Sequence, residues 1–111
     1  MTDRELLISI GYKFKNDVIW HPFEGHGWSD TPGHIAEIVE DPTFWMEIDE
    51  ALSSNGYMTE WRHVWITTES RGFEYRAVDL VEYETEKPHA TANLAVREVY
   101  ERIIQQNQST P

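Results

Sequence analysis

Residues 20–34, WHPFEGHGWSDTPGH, come closer than any other part of this sequence to a metal site. Zinc and related ions take imidazole nitrogen and carboxylate oxygen as ligands. Four side chains of the stretch are of these types: His21, Glu24, His26 and His34. A helical two-histidine site needs i, i+4 spacing, but Pro22 and the glycines at 25 and 27 prevent a regular helix. Two interpretations stay open: a loop that binds a metal or small ligand through these side chains, or a loop whose aromatic side chains pack against a sheet.

The sequence shows no pattern that indicates an enzyme. Its 20 acidic residues include carboxylates for acid–base hydrolysis, but none stands in a recognisable catalytic spacing. It has no cysteine, which excludes a cysteine nucleophile, a thiolate zinc site and a disulfide framework. Serine nucleophile motifs and phosphate-binding glycine loops do not occur in it. We therefore expect a protein that binds a partner, needs no cofactor and catalyses no reaction.

A strong acidic bias is the second chemical feature of the chain. Lysine and arginine total 9 against 20 aspartate and glutamate residues, and the formal charge is −11. Residues 16–61 contain ten of the acids and neither lysine nor arginine. The negative potential of such a segment reaches about 8–10 Å at physiological salt and repels phosphate backbones and anionic lipids. Composition thus argues against direct binding to nucleic acid or to a membrane.

The acidic segment supports two interpretations. It is a solvated surface that keeps the chain in solution, or it is a docking surface for a basic groove that normally holds nucleic acid. In the second case, aromatic side chains in or beside the segment anchor the complex. The candidate partner-binding residues are Glu37, Glu40, Asp41, Trp45, Glu47, Asp49, Glu50, Trp28 and Tyr57.

Local signals in the first third of the chain predict a helix and then extended structure. Thr2 and Glu5 form a capping-box pattern, and Gly11 is suited to end the short helix that follows. Alternation after Gly11 indicates a strand or hairpin before the histidine-bearing stretch. Residues 31–39 fit either a helical turn or an edge strand.

A second and a final helix have clearer signals. Asp41 suits the N-cap, Pro42 suits the first helical position, and Gly56 is suited to end the helix. The final helix is expected after Pro88, with apolar side chains at helical spacing. Residues 107–111 are polar, and we expect a frayed tail there.

Residues 61–83 predict a β-hairpin between these helices. One face of its first strand is expected to carry Trp61, His63 and Trp65. On this strand His63 is expected to be a packed, hydrogen-bonded residue rather than a metal ligand. Turn-forming residues occupy positions 69–72, and a second strand-like run covers residues 73–83. The apolar side changes within that run, which predicts a bulge near Ala77 or Val78.

Amphipathic helices and a hairpin share a core when the helices cover the apolar face or faces of the sheet. The sequence therefore predicts an α+β fold, a layered α/β/α sandwich around a central antiparallel hairpin or small sheet. We expect one domain over residues 1–106, as monomer or homodimer. No stretch has the length or apolarity of a signal peptide or membrane span, so we expect a cytoplasmic protein.

The order of these features resembles the phage ABA-sandwich domain family, small bacteriophage proteins in which helices flank an antiparallel sheet. The resemblance covers most of the chain. It is carried by four short motifs: Gly11-Tyr12, Asp41-Pro42-Thr43-Phe44, Gly56-Tyr57 and residues 90–95, ATANLA. It implies a phage or prophage origin and no catalytic residues, because none is assigned in the family.

Charge and resemblance together favour one hypothesis over the others. It is a small acidic phage-type protein, an anti-CRISPR-like or other host-directed inhibitor, whose negative face occupies a basic site on a host or defence protein. The alternative is a metal- or small-ligand-binding domain that uses the histidine-bearing stretch. A small hydrolase is a third hypothesis, supported only by the abundance of carboxylates.

Overall fold

The computed structural model describes residues 1–109, with side chains to residue 107. It contains four helices and two antiparallel three-stranded sheets, and the predicted α+β layered class is confirmed. The chain divides into two compact units, the first ending at Phe44 and the second beginning at Trp45. Each unit combines one sheet with two helices.

The first unit begins with helix α1, Asp3–Ser9. The predicted capping box is present: the amide of Glu5 donates to Thr2 Oγ1 at 3.1 Å, and the amide of Thr2 donates to Glu5 Oε1 at 3.2 Å. These bonds satisfy amides that have no partner inside the helix. Gly11 follows the helix with a φ of 112°, a conformation that favours glycine, so the predicted stop is confirmed.

The first sheet consists of three short strands: β1 (Lys13–Lys15), β2 (Val18–Trp20) and β3 (Gly27–Ser29). They pair antiparallel in chain order. The two residues between β1 and β2, Asn16 and Asp17, both have positive φ, 55° and 60°. This is the backbone of a two-residue type I′ hairpin turn, which asparagine and aspartate tolerate better than other non-glycine residues. The hairpin expected before the histidine-bearing stretch is therefore present.

Residues 32–40 form helix α2, Pro32–Glu40, which decides between the two predicted alternatives. Thr31 is its N-cap and accepts a hydrogen bond from the amide of His34 at 3.2 Å. Pro32 takes the first helical position, where its missing amide leaves no intrahelical bond unmade. Helix α2 packs against α1, and the buried residues of this unit are Leu6, Leu7, Ile10, Tyr12, Ile19, Ile38 and Phe44.

The second unit begins with helix α3, Trp45–Ser54, three residues later than the start at Pro42 that an Asp41 N-cap predicts. Asp41 instead follows α2 as its C-cap. Its carboxylate accepts from the amide of Thr43 at 2.9 Å and from the hydroxyl of Thr43 at 2.6 Å, so it closes a local turn. Asx turns of this kind compete with helix initiation for the same amides. The amide of Trp45 is capped from elsewhere, by Asn93 Oδ1 at 2.9 Å.

The second sheet has the order β4–β5–β6: β4 (Met58–Trp65), β5 (Arg71–Val78) and β6 (Glu82–Glu84). The β4–β5 register pairs every residue one to one, from Met58↔Val78 to Trp65↔Arg71, so the predicted bulge is wrong. The apolar phase changes because the second strand-like run is two strands. Leu80 lies in the turn between them and is 97% exposed.

Helix α4, Ala92–Ser109, packs on β5, β6 and α3. Its buried face carries Ala95, Val96, Val99, Tyr100 and Ile103, which meet the buried β5 residues Tyr75 and Ala77 in one core. The helix includes residues 107–109 of the predicted frayed tail, and the last two residues of that tail lie outside the described part of the chain.

Candidate interaction surface

The predicted partner-binding residues of the first unit lie on β3 and around the end of α2. Glu37 and Glu40 are exposed on the helix, and neither has an ion-pair partner among the described residues. Asp41 is exposed and closes the turn with Thr43, whose hydrogen bonds lower the pKa of its carboxyl. Trp28 is half-buried, with its ring edge-on to His26 at 4.6 Å between centroids.

In the second unit, Asp49 has a structural role that its sequence position does not reveal. Its Oδ1 accepts a 2.5 Å hydrogen bond from the hydroxyl of Tyr75, a β5 residue that is 2% exposed. Burial and the neighbouring Asp49 carboxylate together raise the pKa of Tyr75. Asp49 therefore connects α3 to β5 from inside the unit instead of contributing to an outer acidic face.

Glu47 and Glu50, the other two acids of α3, differ from Asp49. Glu50 is exposed and has no ion-pair partner within the described part of the chain. Glu47 is half-buried in the first turn of the helix. Tyr57 follows α3, and its half-burial raises the pKa of its hydroxyl, an effect that the nearby Tyr83 and Asp79 reinforce.

Trp45 contacts a residue that the sequence did not single out as an anchor. Its ring lies edge-to-face against that of Trp61 on β4, with 5.9 Å between centroids. Trp61 is 52% exposed and also lies 6.4 Å from the ring of Phe73 on β5. Phe73 in turn stacks on His63, with centroids 4.4 Å apart and an interplanar angle of 8°. His63 and Phe73 are directly opposite in the register.

These four rings and that of Trp65 lie on one face of the β4–β5 hairpin, and we define the aromatic surface as Trp45, Trp61, His63, Trp65 and Phe73. The alternation predicted for residues 61–65 is confirmed, since the three β4 members share this face. At the hairpin end, Trp65 is 64% exposed and the Arg71 guanidinium lies 5.0 Å from its ring centroid. Such cation–π contacts hold an arginine against an aromatic ring.

The opposite face of the hairpin is charged and internally balanced. Glu60 lies 3.3 Å from the guanidinium of Arg76, its register partner, and 4.0 Å from that of Arg62. Arg62 also lies 4.0 Å from the carboxylate of Glu74. Two acids and two bases thus alternate across the strands. Glu60, the last acid of the base-free segment, is consequently paired within its own sheet.

The base-free segment is therefore not uniformly available to a partner. Arg4 donates two hydrogen bonds to Asp30, at 2.6 and 3.2 Å. Among the described residues, at least five of the ten acids accept from or pair with a side chain elsewhere in their own unit: Glu24, Asp30, Asp41, Asp49 and Glu60.

The histidine-bearing stretch forms the β2–β3 hairpin, and its imidazoles make structural hydrogen bonds. His21 Nδ1 accepts from the amides of Phe23 and Glu24, both at 3.1 Å, which holds the loop in a tight turn. The rings of His21 and His26 stack 5.7 Å apart, and His26 Nδ1 lies 3.2 Å from the Glu24 carboxylate. At Gly27 a β-carbon would lie 2.8 Å from the carbonyl oxygen of Ile19, so glycine permits the close approach of β3.

His34, the fourth proposed metal ligand, lies in the first turn of α2. Its Nδ1 is 2.9 Å from the carbonyl oxygen of Ser29 and 3.1 Å from the hydroxyl of Thr31. Within the described residues, no group of three histidine or carboxylate side chains has the arrangement of a metal site. The second interpretation made from sequence, in which the aromatic side chains pack against a sheet, holds only for Trp28, which is half-buried, whereas Phe23 is 80% exposed and Trp20 is 41% exposed.

A half-buried polar cluster around Glu98 of α4 has no counterpart in the sequence predictions. The carboxylate of Glu98 lies 2.6 Å from His89 Nε2, accepts from the amide of Glu86 at 3.0 Å, and also accepts from Arg102 Nη2. His89 itself exchanges two backbone hydrogen bonds with Phe73, at 2.7 and 2.9 Å. Only the i, i+4 spacing of Glu98 and Arg102 signals this cluster in the sequence.

Sequence reasoning did not identify three residues of the aromatic surface as candidate anchors, namely Trp61, Trp65 and Phe73. It also missed Arg71, which lies against Trp65. The strand alternation did place the two tryptophans on one face, but it could not show that the helices leave this part of the face open. No membrane-spanning helix is present in the described part of the chain. Comparisons with protein-family models, curated proteins and solved structures each gave no significant match.

Proposed function

We propose that this protein acts by binding a basic protein surface, with Trp45 and Trp61 as anchors and the α3 carboxylates as the charged flank. The observation that carries the proposal is the contact between Trp45 and the half-exposed Trp61, beside a helix whose Glu50 is exposed and unpaired among the described residues. An aromatic pair next to the unpaired carboxylate of Glu50 combines the two components of a steered protein interface.

The two components have different physical effects. Tryptophan is enriched among residues whose truncation costs about 2 kcal/mol or more of binding free energy, because its large ring excludes water from the centre of an interface. Carboxylates at the rim mainly raise the association rate and set orientation. Glu50 has no ion-pair partner among the described residues, whereas Glu60 pairs with Arg76 and Asp49 accepts a hydrogen bond from Tyr75.

The finer proposal concerns the biological setting. The resemblance to the phage ABA-sandwich family and the net charge of −11 support a phage-type, anti-CRISPR-like or other host-directed inhibitor in the host cytoplasm. Its partner is a host or defence protein whose basic site normally holds nucleic acid, since an anionic surface competes with phosphates for such a site.

A capture experiment with matched variants tests the proposal. The purified protein is immobilised, exposed to bacterial lysate, and eluted with duplex DNA as a competing polyanion. We expect Trp45→Ala and Glu50→Lys each to lower recovery of the DNA-eluted protein by about tenfold or more. Neither substitution touches the Asp49–Tyr75 hydrogen bond.

Two control variants separate the proposed surface from general effects. Glu69→Lys makes the same charge change in the turn after β4, and Leu80→Ala removes a fully exposed apolar side chain from the β5–β6 turn. Both controls should retain capture. Equal recovery with all four variants would leave the acidic surface with only a solubilising role and would refute the proposal.

A further inference from the structure

The outer edge of β4 is open, and the backbone hydrogen bonds show which groups it presents. Phe73 exchanges both of its backbone bonds with His89, on the side of β5 away from β4. Its register partner His63 therefore belongs to a non-hydrogen-bonded pair. Such pairs alternate with hydrogen-bonded ones along an antiparallel ladder. The N–H and C=O groups of Thr59, Trp61, His63 and Trp65 consequently point outward.

Little in the described residues covers this edge. The carbonyl of His63 accepts from Arg71 Nη2 at 3.3 Å, and the remaining outward groups have no partner among the described residues. Side chains on both faces of the strand are exposed, including Met58 at 79%. Exposed edges of this length are templates for pairing with another strand unless proline, a bulge or charged side chains protect them. Strand β4 has no proline and no bulge, and its two charged residues, Glu60 and Arg62, are opposite in sign.

We propose that two copies of this chain pair antiparallel through β4, about a two-fold axis that passes midway between Trp61 of one copy and Trp61 of the other. The two sheets then join into one six-stranded sheet with the aromatic surfaces on the same side. The outward-pointing Trp61 of each copy exchanges both backbone bonds with Trp61 of the other. Thr59 does the same with His63 of the second copy, because residues whose numbers sum to 122 are then opposite.

Charge selects this register from its neighbours. With the axis at residue 61, Glu60 of each copy lies opposite Arg62 of the other, so two cross-strand ion pairs form on the charged face. Moving the axis to residue 60 places Glu60 opposite Glu60. Moving it to residue 62 places Arg62 opposite Arg62. Opposite charges directly across a strand pair are favourable and like charges are unfavourable.

The total charge of −11 does not prevent this pairing. The charged face beside the edge has two acids and two bases, so the charges nearest the axis sum to zero: Glu60, Glu74, Arg62 and Arg76. Charges farther away are screened over about 8 Å at physiological salt. The remaining repulsion lowers the association constant without changing the register.

The first experiment measures mass in solution. Light scattering after gel filtration should give twice the monomer mass of 13.1 kDa at high protein concentration. Thr59→Pro removes an outward-pointing N–H, which an edge strand tolerates without losing its ladder to β5. This variant should elute as a monomer, and an unchanged circular dichroism spectrum with a cooperative unfolding transition shows that it folds.

The second experiment reads the register directly and does not depend on proline. The chain has no cysteine, so single cysteines report one position each. An equal mixture of Thr59→Cys and His63→Cys should form an intermolecular disulfide under mild oxidation. Each variant alone should not, because only the 59–63 pair is brought within about 5.5 Å between Cα atoms, a distance that a disulfide spans.

These results can overturn the proposal in separate ways. A wild-type mass of 13.1 kDa at the highest attainable concentration rules out the dimer. A dimer that survives Thr59→Pro uses another surface. Equal crosslinking of the single variants and their mixture rules out the register. The capture experiment uses variants of α3, whereas these two experiments use variants of β4. Failure of the dimer proposal therefore leaves the proposed function intact, and the reverse also holds.

Discussion

Three polar contacts of the second unit converge on Glu98. It joins α4 to the segment before the helix through the amide of Glu86, the ring of His89 and the guanidinium of Arg102. Burial raises the pKa of the Glu98 carboxyl, but the hydrogen bonds from His89 and Glu86 and the charge of Arg102 outweigh it, so the pKa lies below its usual value.

We predict that Glu98→Gln lowers the free energy of unfolding by about 1–3 kcal/mol at neutral pH, because three donors lose a charged acceptor. A lowered pKa means that the carboxylate contributes fully above the pKa of the unfolded chain, and this contribution is lost as the pH falls through the folded-state pKa. Urea unfolding at pH 7 and near pH 3 measures the difference between wild type and variant.

The difference between the two proteins should therefore shrink in acid. Glu69→Gln, in the exposed turn after β4, is the control and should change the free energy of unfolding by no more than about 0.5 kcal/mol at either pH. A pH-independent cost of Glu98→Gln would assign the role of this residue to packing instead of charge.

At the level of single residues, only part of the candidate site could be predicted from the sequence. Trp45 was found because it lies beside the acids of α3. Asp49 was grouped with Glu47 and Glu50 because helical spacing does not show which carboxylate faces a buried hydroxyl on another element. Trp61 was seen as a strand residue but not as an anchor, since its exposure depends on where the helices end.

Among the elements, α3 depends on a residue that is distant in sequence. Its first amide, that of Trp45, donates to Asn93 Oδ1 on the first turn of α4. An amide at a helix start that loses its cap has no partner inside the helix. One side chain therefore completes α3 and ties it to α4.

We predict that Asn93→Ala lowers the free energy of unfolding by about 1 kcal/mol, as loss of a capping side chain does in other helices. Asn93→Asp keeps the acceptor oxygen and should restore most of the stability. Thermal and urea unfolding compare the two variants. Equal losses in both would show that Asn93 stabilises α3 through some contact other than its oxygen.

Whether an element depends on residues distant in sequence, as α3 depends on Asn93, explains which elements could be predicted. The capping box of Thr2 and Glu5, the stop at Gly11 and the alternation of β4 are local patterns, and all three are confirmed. The start of α3 was placed at Asp41 because the competing turn with Thr43 and the distant cap from Asn93 have no local signature. The bulge was inferred from a phase change that a chain reversal after Val78 explains.

For the whole molecule, the excess of negative charge is the dominant long-range effect. A net charge of −11 on 111 residues opposes compaction by self-repulsion. Local pairs such as Arg4–Asp30 and Arg76–Glu60 offset only part of it.

We predict that sodium chloride raises the free energy of unfolding, on the order of 1 kcal/mol between low and physiological ionic strength, because it screens this repulsion. Urea unfolding, which adds no ions, measures the change, and sucrose controls for general solute effects. A decrease with salt would mean that the ion pairs outweigh the net charge.

Strand β6 limits the size of an assembly that forms by pairing through the open edge of β4. It is three residues long, Glu82–Glu84, and two of the three are glutamates, so the far margin of the second sheet is too short and too anionic to template another strand. If two copies pair through β4 as proposed, each copy uses the one eight-residue strand edge that the described residues expose, and the assembly closes at two. With a longer and neutral β6, the same fold would expose two edges for strand pairing and could extend into fibres. On the proposed dimer, the short, acidic β6 therefore limits the assembly to two copies.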